Sequence, residues 1–109
     1  MLAAIEQRGL TVFARIDHAA AAHEVGLELA EEQVVLFGNP RAGTPLMVSD
    51  RQIGIELPLR ILVWRDGTSV SLAYSDPRDL ADEYDVAEHH STLEQMAKLL
   101  EDLTSEAAG

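Results

Sequence analysis

Apolar and polar positions along this chain change their period several times, and each change marks a predicted element. Leu2, Ala3 and Ile5 ahead of Gly9 read as the last turns of a helix. Gln7 and Arg8 suit its C-terminal dipole, and Gly9 suits a left-handed cap. That pattern predicts a helix beginning before the first residue. From Leu10 to His18 the period becomes that of a strand, with Val12, Ala14 and Ile16 on one face and Thr11, Phe13, Arg15 and Asp17 on the other. Both faces are partly apolar, which predicts cover on both sides. Ala19 to Leu29 is alanine-rich, yet Gly26 and the alternation from Glu24 to Leu29 argue against one continuous helix. An irregular segment or one short turn is expected there. Gln33-Val34-Val35-Leu36-Phe37 is an unbroken β-branched and aromatic run, the pattern of a central strand buried on both faces.

Gly38-Asn39-Pro40 stops that strand. Thr44 followed by Pro45 predicts a helix start, because threonine accepts a hydrogen bond from an orphan amide and proline at the first helical position loses no needed donor. The helix is expected to run towards Ile53. Beyond Pro58, Leu59 to Trp64 and Ser69 to Tyr74 form a hairpin with Asp66-Gly67 at its turn. Asp76-Pro77-x-Asp79 predicts a short helix from Pro77 to Tyr84. Ser91-x-x-Glu94 is a capping box ahead of Leu93, Met96, Ala97, Leu100 and Leu103, which share one helical face. Residues 104 to 109 are expected to fray. The sum is an α+β two-layer sandwich, a mainly antiparallel sheet with helices packed on one face. A single domain spans residues 1–109, with its core in about 1–84 and a C-terminal helix in about 91–104.

Composition narrows what such a domain does. With 109 residues and 47% apolar content, the chain is long enough for one core and too short for two ordinary domains. Its longest apolar runs fall far short of the roughly 20 residues that cross a bilayer, so no membrane partner is expected. The first residues lack the charged, apolar and small-residue sequence of an export signal, which makes a cytoplasmic location the expectation. The absence of cysteine excludes disulfides, thiolate metal sites and cysteine nucleophiles. A net charge of −11 repels phosphate backbones, so nucleic acid is not an expected partner. The excess is concentrated: from residue 76 onward ten acidic residues face only Arg78 and Lys98, a net of −8. An acidic docking face and the solvated outer faces of helices both fit that bias.

Three segments in order carry a resemblance to a known family. They are Gly9 to His18, then Phe37-Gly38-Asn39-Pro40 with Gly43-Thr44-Pro45-Leu46-Met47, then Leu57-Pro58-Leu59 with Leu62-Val63-Trp64. In these residues, and over about Met1 to Tyr84, the chain resembles the bacterial and archaeal domain of unknown function 302. Leu72-Ala73-Tyr74-Ser75-Asp76-Pro77 is similar to the family's Tyr-Asn-Asp-Pro segment, with Ser75 where asparagine is usual. The resemblance implies an α+β fold and a homodimer, and it implies no established activity. It also implies a further strand and the start of a helix before Leu2: either the start is misplaced or truncated, or the sheet has lost a strand and has an edge open to pairing.

The candidate site gathers Arg15, Asp17 and His18 at one strand exit and Asn39 and Thr44 around the turn after another. If the two strands are neighbours and these side chains converge, they offer a cation, a carboxylate, an imidazole and amide or hydroxyl groups. That set suits a small-molecule ligand or a partner, bound without turnover. The alternative is an enzyme with His18 as the acid–base candidate, Asp17 or Asn39 orienting it and Arg15 holding an anion. A further alternative is an interaction protein acting through its acidic C-terminal face. Each residue also has a routine structural reading: Asn39 holds its turn, Thr44 caps its helix and Arg15 pairs with an acid. His18, His23 and His89-His90 match no established ligand spacing. No cofactor or metal is therefore predicted, with haem on His18 the remaining option. The turn from Gly38 to Thr44 lacks the Gly-Lys-Ser/Thr ending of a phosphate loop, and no Gly-x-Ser-x-Gly supports a hydrolase.

Overall fold

Strand β2 (Glu32–Gly38) lies inside a four-stranded antiparallel sheet of order β1-β2-β3-β4, with β1 at Thr11–Asp17, β3 at Leu59–Asp66 and β4 at Ser69–Ala73. The computed structural model describes residues 1–108. Around the sheet stand α1 (Leu2–Gln7), α2 (His18–Glu24), α3 (Pro40–Ser49), α4 (Leu80–Glu83) and α5 (His90–Ala108). Short 3₁₀ segments at Arg51–Ile55, Pro77–Asp79 and Ala87–His89 complete the connections.

Directly opposed residues of an antiparallel pair share a face, so the register sorts the sheet. Val35 opposes Ile61 and Phe37 opposes Leu59, and all four are buried. On this face they meet Ile5 of α1, Leu46 of α3 and Leu93, Leu100 and Leu103 of α5 in one core. The expected sandwich with helices on one face is therefore present, and the stripe predicted for the last helix is buried throughout.

Several local expectations give way to specific competitors. Opposite β2, the register slips at Phe13: Val12 faces Phe37 on the core side, but Ala14 faces Leu36 on the other. This β-bulge breaks the predicted shared face of Val12, Ala14 and Ile16 and turns Arg15 to the helix side. Nor are β1 and β2 covered twice. Phe13 is 52% and Ile16 44% exposed, while Val34 and Leu36 are only partly buried.

The segment after Asp17 forms a regular helix, because the Asp17 carboxylate accepts from the Ala20 amide at 2.9 Å. Its end is a Schellman pattern: Leu27 N–H donates to Ala22 O and Gly26 N–H to His23 O, with Gly26 at φ +79°. The strand-like alternation from Glu24 to Leu29 reflects that cap. The same pattern closes α1 through Gly9 and Leu10, as its glycine predicts. Helix α3 begins earlier than expected. Asn39 and Pro40, not Thr44 and Pro45, provide the cap and first-turn proline, and Pro45 lies inside the helix. α3 ends at Ser49, where Asp50 accepts from Gln52 N–H and starts a 3₁₀ turn. Finally, α5 starts at His90, so Ser91 is already helical, and the helix continues through the segment expected to fray. There Thr104 Oγ1 donates to Leu100 O at 2.8 Å and Arg8 pairs with Glu106. Gly109 lies outside the described residues.

Candidate functional site

Antiparallel pairing decides where the predicted site residues go. Thr11 opposes Gly38 and Asp17 opposes Gln33, so Asp17 and His18 lie at one end of the sheet and the Asn39 turn at the other. At about 3.3 Å per residue, the length of β1 holds them roughly 20 Å apart. The predicted convergence of Arg15, Asp17 and His18 with Asn39 and Thr44 therefore does not occur within one chain. Asp17 is spent on capping α2, and His18 occupies its exposed first turn. Arg15 lines a broad groove of about 520 Å³ with Gln33, Val63 and Arg65, and has no ion-pair partner among the described residues. Arg65 instead pairs with Glu31 at 3.3 Å. Thr44 is exposed on α3.

Asn39 stands beside a different, apolar cavity. Its Oδ1 accepts from Arg41 N–H at 2.9 Å and fixes the start of α3. With the turn so held, Pro40, Ala42 and Gly43 form one wall of a cavity of about 260 Å³. The bulged Phe13 and Leu10 form a second wall, Leu57, Pro58 and Leu59 a third, and Met47, Met96 and Leu99 close it. Small residues make the space. A methyl group on Gly38 would lie 3.6 Å from Pro58 Cβ and 4.0 Å from Phe13, and one on Gly43 would meet only Leu57, also at 3.6 Å. Apart from the Asn39 amide, no polar side chain and no titratable group among the described residues lines the cavity.

The groups with displaced pKa values lie elsewhere. Asp76 is held below the usual carboxylate range by hydrogen bonds from the Arg78 side chain and backbone, and Arg78 is raised in return. Glu106 is lowered by its hydrogen bond from Arg8, whose own value is raised by the same bond. Burial raises the Tyr84 phenol, assisted by the Glu56 carboxylate that accepts its hydrogen bond at 3.3 Å. The Asp76–Arg78 pair braces its own turn, and the other two fasten distant segments together. Asp50 serves likewise, accepting from Asp85 N–H at 2.9 Å while Ser49 Oγ donates to Asp85 O at 2.7 Å. Among the described residues no group of three His, Asp or Glu side chains is placed to hold a metal ion.

Sequence reasoning marked the turn and missed most of the cavity. Its walls come from segments up to 89 positions apart, Leu10 to Leu99, which no local motif connects. The close run of Gly38, Ala42 and Gly43 was the available signal for open space beside the turn.

Fold and cavity define a class: a small α+β sandwich with an apolar hollow at the corner where the central strand enters a helix. The family model described as domain of unknown function DUF302 matches residues 1–103, and the chain belongs to that family. The match extends the resemblance through most of α5. A crystal structure of an uncharacterized conserved DUF302 protein from Bacillus stearothermophilus superposes with a TM-score of 0.77 at 15% identity, covering 88% of this chain and 76% of that one. At that identity the likeness shows the fold alone. Among curated proteins, "Fluoride-specific ion channel FluC 1" of Brucella suis biovar 1 (strain 1330) is 49% identical over 74 residues. That segment is 67% of this chain and 29% of the Brucella protein. "Fluoride-specific ion channel FluC 2" of Brucella melitensis biotype 1 has the same identity over the same length, 27% of its chain. The chain thus matches under a third of these relatives. No helix among the described residues is long and apolar enough to cross a membrane.

Proposed function

We propose that this chain is a binding module that holds a small apolar ligand in the cavity beside Asn39, without turnover. The carrying observation is the chemistry of the lining: a hollow of about 260 Å³ whose only polar side chain among the described residues is an amide already engaged as a helix cap. Such a lining rewards transfer of apolar surface from water and offers no group to move a proton. His18, the acid–base candidate, lies at the far end of β1 and takes no part. In the Brucella relatives the matching segment is one part of a protein named as a fluoride channel. We infer for the domain a sensing or docking role beside such a function, since a small, strongly hydrated anion such as fluoride has no donors or cations to hold it in an apolar hollow.

The test is calorimetric titration of the chain with naphthalene, indole and octanoate, compared with Gly43→Leu. The new side chain projects past Leu57 into the hollow, and replacing a helical glycine contributes up to about 1 kcal/mol of helix propensity. Retained stability with loss of probe binding by at least about tenfold is the expected result. Binding that survives Gly43→Leu unchanged would place the ligand elsewhere, and absence of binding by all three probes would sink the reading.

A further inference from the structure

Met47 borders two spaces of different chemistry. On one side it helps to close the apolar hollow beside Asn39, and on the other it lines an open groove of about 480 Å³ with Thr44, Val48 and Arg51. Thr44, Met47 and Val48 share one face of α3 by their spacing, and Arg51 follows at the start of the 3₁₀ turn. Met47 itself is half-buried, unbranched and flexible. Gly54 leaves it room, since a methyl group there would lie 3.4 Å from its sulfur. The partition between hollow and groove is thus a single adaptable side chain.

The groove carries a guanidinium and a hydroxyl, and no acidic residue among those described lines it, in a chain that has nineteen. Arg8, Arg65, Arg78 and Lys98 are each paired with a carboxylate, whereas Arg51 has no such partner among the described residues. Its neighbour Asp50 accepts instead from the Gln52 and Asp85 amides. Arg15 and Arg60 also lack a paired acid among the described residues, but two carboxylates line the space around each: Glu31 and Glu32 for Arg15, Glu56 and Asp76 for Arg60. An anion approaching this acidic molecule is best held where no carboxylate stands beside the cation. One guanidinium matches a monoanion, and its planar fork matches a carboxylate.

Size gives the other half of the ligand. The hollow of about 260 Å³ holds about eight or nine groups of water size, at roughly 30 Å³ each. That is the room for a straight alkyl chain of about eight carbons.

We propose that the ligand is a medium-chain carboxylate whose alkyl tail fills the hollow and whose carboxylate lies beyond Met47, on the Arg51 guanidinium with the Thr44 hydroxyl as a second donor. This rests on the reading of the hollow as a binding site and adds the class of molecule that it takes.

Calorimetric titration of the full chain with butanoate, hexanoate, octanoate and decanoate, and with octanol as the uncharged probe, tests the assignment. Affinity for the carboxylates is expected to rise about fourfold per methylene and to level off near eight carbons. Arg51→Gln keeps much of the aliphatic stem and removes the charge. It is expected to weaken octanoate roughly threefold to fivefold and to leave octanol and the melting temperature unchanged, since Arg51 is exposed. Added salt should weaken octanoate in the parent chain and spare it in the variant. Gly43→Leu should weaken octanoate and octanol alike, by about tenfold or more. Octanoate and octanol that both bind and respond equally to Arg51→Gln overturn the proposal, while the hollow stands as a site for apolar molecules. A loss specific to octanoate in Arg41→Gln and absent in Arg51→Gln also overturns it, placing the carboxylate at the turn. So does octanoate binding that survives Gly43→Leu. Absence of binding by every probe overturns the proposal together with the reading of the hollow.

Discussion

Asn39 and Thr44 show how one residue's role depends on a neighbour five positions away. Both are cap-forming types followed by proline, and only Asn39 has the extended backbone that lets its side chain reach forward, to Arg41 N–H. Thr44, exposed within α3, has no such bond. Asn39→Ala is therefore expected to cost about 1 kcal/mol in urea unfolding, and Thr44→Ala to stay within about 0.5 kcal/mol. The reverse order would mean that the helix starts at Pro45. Phe13 is the residue whose position could not be read locally. Its strand alternates correctly up to the bulge, and only pairing with β2 reveals the extra residue that moves Ala14 and Ile16 to the open face.

Among the elements, α5 was the most legible, because five apolar positions repeat at helical spacing and all five are buried. Leu100 lies at the centre of that stripe and is almost wholly buried, so Leu100→Ala is expected to cost about 2–5 kcal/mol in thermal or denaturant unfolding. Lys98→Ala, on the outer face of the same helix, should change stability by less than about 0.5 kcal/mol. Equal effects would contradict the packing face. The hairpin of β3 and β4 was equally legible from its turn and its flanking runs. α2 was not, since the polar and apolar order after Glu24 belongs to a helix cap and mimics a strand. Both ends of α2 are fixed by single hydrogen-bonding arrangements, Asp17 at the start and Gly26 at the close.

For the whole molecule, acid is the dominant feature and part of it is harnessed. Glu106 ties α5 to Arg8 just beyond α1, and Asp76 and Arg78 brace the turn before α4, with Glu94 and Glu101 of α5 also near Arg78. Asp76 and Glu106 titrate lower in the folded chain than their ordinary values near pH 4. Their contribution is therefore complete above that range and is lost as pH falls through the lower folded values. Glu106 is exposed and Asp76 only partly buried, so the effect is modest. The melting temperature should fall on acidification below about pH 4, and the double variant Asp76→Asn, Glu106→Gln should start lower and show a flatter acid limb. An unchanged limb would remove these pairs from the stability of the fold.

Periodicity determined the elements that bury one face: the α5 stripe, the central run of β2, the hairpin and the glycine that ends α1. These patterns are local consequences of helix and strand geometry, so the sequence alone suffices for them. The tertiary structure decided what depends on pairing between distant segments. Antiparallel register put Asp17 and His18 at the opposite end of the sheet from Asn39, and so dissolved a cluster that looked plausible along the chain. It also brought Phe13, Gly43, Pro58 and Leu99 around one hollow and left Val34, Leu36, Leu62 and Trp64 on an uncovered face. Contacts of that kind join residues tens of positions apart, and no local period encodes which of them meet.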